Sequence, residues 1–171
     1  FANADTGLTA AMSQFDAALQ GLAADPSSLS ARQTVLSQAN VLSDRFKLID
    51  KNITTLDGEI NQRIDSEASD INGLAQSIAR LNTQIAQAQG ATGQPPNDLL
   101  DQRDHLVDQL SGHVNVSVVA QSDGTQNVFI GNGQALVMGS QSATLSSVRD
   151  AYDPTRRTVA LTTPSGVVDV S

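Results

Sequence analysis

The sequence predicts an α+β fold that is mainly α: a long antiparallel helical bundle, with one very long helix flanked by two shorter ones, followed by a small antiparallel β domain. Up to residue 112, apolar residues recur at alternating steps of three and four, the period of an amphipathic helix. After Gly112 the period changes to two, which is typical of strands with one buried face. We therefore expect a helical domain over residues 1–112 and a β-meander domain over residues 113–171, truncated at its C-terminal end.

The long helix is predicted to run from Asp25 to about Gln89. Its apolar positions between 35 and 85 form one stripe, which would line a coiled-coil or bundle contact. Between Ile60 and Ile71 the spacing slips to an eleven-residue unit, which puts Glu67 or Ala68 at a core position. A helix of roughly 60 residues is roughly 90 Å long, which favours a structural or assembly role.

A short joint at Asp25-Pro26 separates the long helix from a first helix over residues 8–24, for which Asp5 or Thr6 would be the N-cap. The residue before a proline avoids helical geometry, and proline suits the first helical turn. We therefore expect Asp25 to cap the long helix. The first helix should fold back along residues 28–45.

A third helix is predicted to follow the glycine- and proline-rich stretch at 90–96. Asn97 or Asp98 would cap its start, and Ser111-Gly112 would end it. This helix should fold back along residues 75–89 of the long helix.

The middle of the apolar stripe would then be left without a cover. We call it the seam: Phe46, Ile49, Ile53, Leu56, Ile60, Ile64, Ile71 and Leu74. Burying one large apolar side chain stabilises by about 1.5–3 kcal/mol, so we expect another chain segment or subunit to cover the seam. A break of the helix at Gly58 or Gly73 is the alternative.

The β region is predicted to start as a meander. Its first strands lie around residues 114–118, 128–130 and 135–138, with turns at 122–125 and 131–133 between them. Shorter strands would follow around Leu145, around Val159 and at 167–170. The last strand would be an unprotected sheet edge, which predicts that the chain is a fragment.

The composition argues against several classes of protein. A net charge of -8 and a pI near 4.4 disfavour binding to nucleic acid or to an anionic membrane, since both require a basic surface. The absence of cysteine excludes disulfides, thiol catalysis and zinc–thiolate sites. The sequence contains no run of eighteen apolar residues that would span a membrane.

The search for reactive groups yields one candidate metal site, in the third helix. Asp101 and His105 are four residues apart on one helical face, where they could bind a divalent metal. No second ligand pair or general base accompanies them, so we interpret this face as a solvated acidic surface. His113, after the helix-ending Gly112, should hydrogen-bond free carbonyls or water. We expect no catalytic residue, no cofactor and no metal.

Four stretches together carry a family resemblance. They are DPSSLSARQ from Asp25, NDLLDQRDHLVDQLS from Asn97, VNVSVV from Val114 and the turn DGT from Asp123. In this combination the chain resembles the flagellar hook-associated protein 1 family, the FlgK-type hook–filament junction proteins, over about residues 1–140.

The resemblance implies a non-catalytic structural protein of the bacterial flagellum, located outside the cell after export by the flagellar type III apparatus. It also implies self-association of full-length copies in a ring, with the hook protein and the second hook–filament junction protein as neighbours. This chain would be an internal fragment lacking both termini, which pair with the central helices in the family. The alternatives are another coiled-coil assembly module, from a phage tail or a secretion apparatus, and a metal-dependent enzyme using Asp101 and His105.

Overall fold

A computed structural model describes residues 7–150, 152–163 and 166–169. In this range the chain forms three helices followed by two small antiparallel sheets, which confirms the predicted fold class. The helices are α1 (Leu8–Ala24), α2 (Leu29–Thr92) and α3 (Asn97–Ser111). The strands are β1 (Val116–Ala120), β2 (Gln126–Ile130), β3 (Gln134–Met138), β4 (Gln141–Ser142), β5 (Thr144–Arg149), β6 (Arg157–Thr163) and β7 (Gly166–Asp169).

The chain divides into two compact units, and the boundary between them lies within α2, between Gly58 and Glu59. Helix α2 is a single helix that contains both Gly58 and Gly73, so neither glycine is a break in it. The division of the chain at residues 112 and 113, expected from the change of period, stays a prediction.

The N-terminal unit contains α1 and the first part of α2. The least exposed residues recur every three or four positions on both helices, and Ala11 on α1 is buried. This is the pattern expected where two helices pack along one stripe each. The stripes comprise Leu8, Ala11, Phe15, Ala18 and Leu22 on α1, and Ala31, Val35, Ala39 and Leu42 on α2.

The start of α2 differs from the prediction, because Asp25 does not cap it. The Asp25 carboxylate instead accepts hydrogen bonds from the amide and hydroxyl of Ser27, in a turn after α1. The Ser28 hydroxyl accepts the amide of Ala31 at 3.2 Å and is the side-chain cap. The proposed caps of α1, Asp5 and Thr6, lie outside the described residues.

Helix α3 has the predicted C-terminal end but a different N-terminal cap. It ends at Ser111, and the amide of Gly112 donates to the Gln109 carbonyl at 3.1 Å. The residue before its first turn is Pro96, and no side chain caps the free amides, so the assignment of Asn97 or Asp98 as the cap was wrong.

The C-terminal unit contains the rest of α2, helix α3 and both sheets. The first sheet has the strand order β1-β2-β3-β4 and the second has the order β5-β6-β7, with antiparallel neighbours throughout. The predicted meander is thus confirmed. One apolar core joins both sheets to the helices: Ala68, Ile71, Ala75, Ile78, Ala79, Leu110, Val128, Ile130, Leu136, Val137, Leu145 and Leu161.

Candidate interaction surface

In the N-terminal unit, the seam is an exposed apolar stripe on α2. Phe46, Ile53 and Leu56 keep 52%, 51% and 55% of their surface exposed, and Ile49 is half-buried. Their spacing of three and four residues puts them on one side of the helix. Apolar side chains this exposed and aligned are the usual basis of a contact with another helix.

In the C-terminal unit, the seam changes from exposed to buried along the helix. Ile60 is 48% exposed and Ile64 is half-buried. Ile71, in contrast, is only 7% exposed, and Leu74 packs against the core. The expectation that this chain leaves Ile71 and Leu74 uncovered was therefore wrong, because the core containing both sheets covers them.

A groove lies where the exposed part of the seam meets the second sheet. It encloses about 250 Å³. Apolar side chains dominate its lining, and Arg63 and Glu67 are its charged members. The lining residues are Ile60, Arg63, Ile64, Glu67, Ala68, Ile71, Leu145 and Val159. The groove can take apolar side chains and offers a cation and a carboxylate.

Of Glu67 and Ala68, the two candidates for the core position in the eleven-residue unit, Ala68 is the buried one. This residue is 7% exposed and belongs to the core, while the Glu67 carboxylate lies 2.7 Å from Nδ1 of His113. His113 therefore joins the end of α3 to α2 through its side chain. The amide of His113 donates to the Leu110 carbonyl at 3.0 Å. Its side-chain contact with Glu67 was not foreseen.

Asn82 of α2 is the most connected polar side chain of this unit, and it is fully buried. Its amide nitrogen donates to the carbonyls of Gln126 and Gly139, both at 2.7 Å. Its oxygen accepts the amide of Gln126 at 3.1 Å. Asn82 thus binds the start of β2 as a neighbouring strand would, and also holds the turn after β3.

Two further asparagines of α2 bind the second sheet and its loop. Asn72 donates to the Leu145 carbonyl and accepts the Leu145 amide, both at 2.8 Å, in the same reciprocal pairing. Asn61 donates to the Thr155 carbonyl at 3.0 Å. The sequence analysis missed all three residues. Asparagine is a poor helix former, so the presence of five asparagines in one helix is the signal that could have drawn attention to them.

Arg103 fastens α3 to the same region. Arg103 is charged, but it lies on the apolar face of α3 and its side chain is buried. Its Nη1 donates a hydrogen bond to the Gly124 carbonyl at 2.7 Å. Nη1 also lies 3.4 Å from Asn82 Oδ1. Burial lowers the pKa of Arg103 below its usual value, and the neighbouring Asp104 acts in the opposite direction. The guanidinium therefore links the turn between β1 and β2 to both helices.

The predicted metal candidates do not form part of a ligand cluster. Asp101 and His105 are both exposed, and the His105 ring contacts Gln109 at 3.2 Å. Within residues 7–150, 152–163 and 166–169, no three His, Asp or Glu side chains gather as metal ligands would. In the same ranges, no helix has the length and apolar content needed to cross a membrane.

Comparison with known proteins identifies the family. The family model described as the flagellar hook-associated protein FlgK helical domain matches residues 1–171. The chain belongs to the FlgK family. Its resemblance to that family, carried by the DPSSLSARQ and NDLLDQRDHLVDQLS stretches, is thereby confirmed.

FlgK relatives from several bacteria match most of this chain. It is 39% identical over 160 residues to flagellar hook-associated protein 1 of Salmonella typhimurium, covering 93% of this chain and 29% of the relative. The Escherichia coli K12 protein of that name is 38% identical over 156 residues, covering 91% and 28%. The Bacillus subtilis protein is 30% identical over 162 residues, covering 87% and 32%.

A solved FlgK structure has the same fold. The flagellar hook junction protein FlgK of Burkholderia pseudomallei superposes with a TM-score of 0.84 at 35% identity. The match covers 96% of this chain and 28% of that protein. The chain spans less than a third of the length of each of these FlgK proteins.

Proposed function

We propose that this chain is a structural, non-catalytic part of the bacterial flagellum that acts at the junction between hook and filament. Membership of the FlgK family supports this, since relatives are named as hook-associated and hook junction proteins. In this proposal the protein works outside the cell after export by the flagellar type III apparatus. Full-length copies associate in a ring, next to the hook protein and the second hook–filament junction protein.

The observation that carries the proposal is the exposed seam on α2. Phe46, Ile53 and Leu56 are about half exposed, and covering the exposed remainder of each would stabilise a contact by about 1 kcal/mol. A single such contact is weak, but a row of them along one helix contributes several kcal/mol. Packing of the seam against other segments of the full-length protein, or against its neighbours, thereby joins subunits and transmits load.

The test of the seam uses Ile53→Asp and Ile60→Asp in the full-length protein of a motile bacterium. Each change puts a carboxylate where the proposal buries an isoleucine, so swimming and the number of attached filaments should fall sharply. Leu36→Asp is the matched control, because Leu36 is 65% exposed on α2 and lies outside the seam. Normal motility of both seam variants would overturn the proposed role of the seam.

The non-catalytic part of the proposal has its own test. Because His105 is exposed and contacts only Gln109 among the described residues, His105→Ala should leave folding and motility unchanged. Loss of motility in a stably folded His105→Ala protein would favour the metal-dependent alternative instead.

A further inference from the structure

The hairpin of β5 and β6 brings three arginines and two aspartates together, which makes it a net positive segment of an acidic chain. Its register places Arg149 directly opposite Arg157, and Arg156 comes immediately before Arg157. Like charges directly opposite on neighbouring strands destabilise a hairpin. These three residues are three of the ten Lys and Arg in a chain of net charge -8. Two arginines that face each other can bind an anionic partner, which would relieve their repulsion.

No carboxylate of the described chain supplies that partner as an ion pair. Across residues 7–150, 152–163 and 166–169, the cations in ion pairs are Lys47, Arg103 and His113. Arg157 makes only long contacts, at 3.4 Å, with the carbonyl and hydroxyl of Ser147. Arg156 lies near Asp153, whose carboxylate is already held by Thr155. Within the described residues Arg149 and Arg157 thus have no carboxylate in an ion pair, and their charge remains available to another molecule.

The loop of this hairpin also presents an aromatic side chain. Tyr152, the single tyrosine of the sequence, is 98% exposed. The Asp150 carboxylate accepts hydrogen bonds from the amides of Tyr152 at 2.7 Å and of Asp153 at 2.9 Å, which hold the backbone of these two residues. Tyrosine and arginine are the residue types that most often dominate protein interfaces. We call Arg149, Tyr152, Arg156 and Arg157 the arginine hairpin.

Helix α3 carries the complementary charge. Its exposed acidic residues, Asp98, Asp101, Asp104 and Asp108, lie within about a third of the helix circumference. Asp104 neighbours Arg103 at 3.7 Å. The other three form no ion pair within the described part of the chain. We call these four aspartates the acidic face of α3.

The arginine hairpin and the acidic face of one chain are too far apart to neutralise each other. The bond from Asn61 to Thr155 fixes the hairpin beside residue 61 of α2, and the contact of Arg103 with Asn82 fixes α3 beside residue 82. These positions are 21 residues apart, or about 30 Å along the helix. The C-terminal end of α3 lies nearer, because Gln109 shares a cavity with residues between 69 and 77, about 12–24 Å along the helix from residue 61. Charges interact appreciably over only about 8–10 Å in physiological salt.

We propose that the arginine hairpin of one copy docks on the acidic face of α3 in a second copy. The proposal rests on the assembly of many copies proposed above and names one contact surface of that assembly. Because the two surfaces differ, the contact is head-to-tail, the type that builds rings or helical arrays instead of closed dimers. The positions of the two surfaces along α2 shift neighbouring copies by about 12–30 Å along the helix direction.

Disulfide cross-linking tests this contact, since these 171 residues contain no cysteine. Cells would produce two full-length forms together, one with Tyr152→Cys and the other with Asp108→Cys. We expect oxidation of their intact flagella to yield a covalent pair. Pairing Tyr152→Cys with Ser13→Cys, on exposed α1, is the matched control and should give none.

Charge reversal separates a specific contact from chance collisions. Arg149→Glu with Arg157→Glu should lower the cross-link yield about tenfold or more, because like charges then face each other. Adding Asp98→Arg and Asp101→Arg to the form with Asp108→Cys should restore it. Lys51→Glu with Arg80→Glu, an equal charge change at two exposed positions of α2, should have no effect. Circular dichroism of each variant checks that it is folded.

The outcomes separate the two proposals. Motile cells whose flagella contain both forms but give no cross-link would overturn the docking contact alone. A cross-link from Tyr152→Cys to a different flagellar protein, or a yield unchanged by charge reversal, would also overturn it. Absence of the protein from flagella would overturn the proposed function and the contact together.

Discussion

Three of the five asparagines of α2, Asn61, Asn72 and Asn82, permit a graded prediction of stability. Asn82→Ala removes two hydrogen bonds donated to carbonyls and one accepted from the Gln126 amide, all at 3.1 Å or less. Each intramolecular hydrogen bond contributes about 1 kcal/mol net, so the loss is about 3 kcal/mol. The higher helix propensity of alanine returns up to about 0.7 kcal/mol. The expected destabilisation is therefore about 2–3 kcal/mol.

The other two positions calibrate this value. Asn72→Ala removes two hydrogen bonds, which together contribute about 2 kcal/mol. After the same gain in helix propensity is subtracted, the expected destabilisation is about 1–1.5 kcal/mol. Asn61→Ala removes one exposed bond, and about 0.5–1 kcal/mol is nearly cancelled by the gain in propensity. The predicted order of destabilisation is Asn82, then Asn72, with Asn61 close to zero.

Urea unfolding of the 171-residue chain, followed by circular dichroism, measures the three values. Because the chain has two compact units, native-state hydrogen exchange adds a local readout that does not require two-state unfolding. The amide of Gln126 should lose protection in Asn82→Ala, and that of Leu145 in Asn72→Ala. Equal destabilisation at all three positions, or unchanged exchange at both amides, would refute the reasoning.

Two further predictions concern the turn between β1 and β2. Gly124 has φ 83°, and a Cβ added to it would contact Gln89 and lie 3.2 Å from Ile85 Cγ2. Gly124→Ala should therefore lower the free energy of unfolding by about 1–2 kcal/mol or more. The control is Gly73→Ala, at a helical position with open space, which should raise the free energy of unfolding by about 0.5–1 kcal/mol. Hydrogen bonds from the Thr125 hydroxyl and amide lower the pKa of Asp123, so its contribution to stability is present above the unfolded-state pKa of about 3.9 and is lost as pH falls through the lower folded value. Asp123→Asn should thus be less stable than the wild type at pH 6, and urea titrations at decreasing pH should show the difference shrinking.

The sequence predicted what depends on periodicity and missed what depends on hydrogen bonding. Alternating apolar residues located the strands and the three helices, since burial of one face decides both periods. The start of α2 was misplaced because Asp25 and Ser28 are both good caps, and the contacts of Asp25 with Ser27 decide between them. Helix and strand periods contain no information about which backbone groups a side chain meets in the folded chain.

The candidate surface was predictable only in its exposed part. The alignment of Phe46, Ile53 and Leu56 on one side of α2 follows directly from their helical spacing. Burial of Ile71 could not be anticipated, because it depends on how the later strands fold back onto α2. The contacts of Arg103 could not be anticipated for a related reason, since the carbonyl that its buried guanidinium meets belongs to the turn at Gly124.

The eleven-residue unit between Ile60 and Ile71 marks the place where the apolar stripe on α2 changes from exposed to buried. From Ala68 onward, the stripe is buried in the core that contains both sheets. Before that point, Ile60 and Ile64 keep exposed surface beside the groove. A larger residue at 68 would hold Leu145 away from the helix, because both side chains line the same groove and share the core. The small alanine therefore permits the intramolecular core to begin, while the large isoleucines before it keep exposed surface.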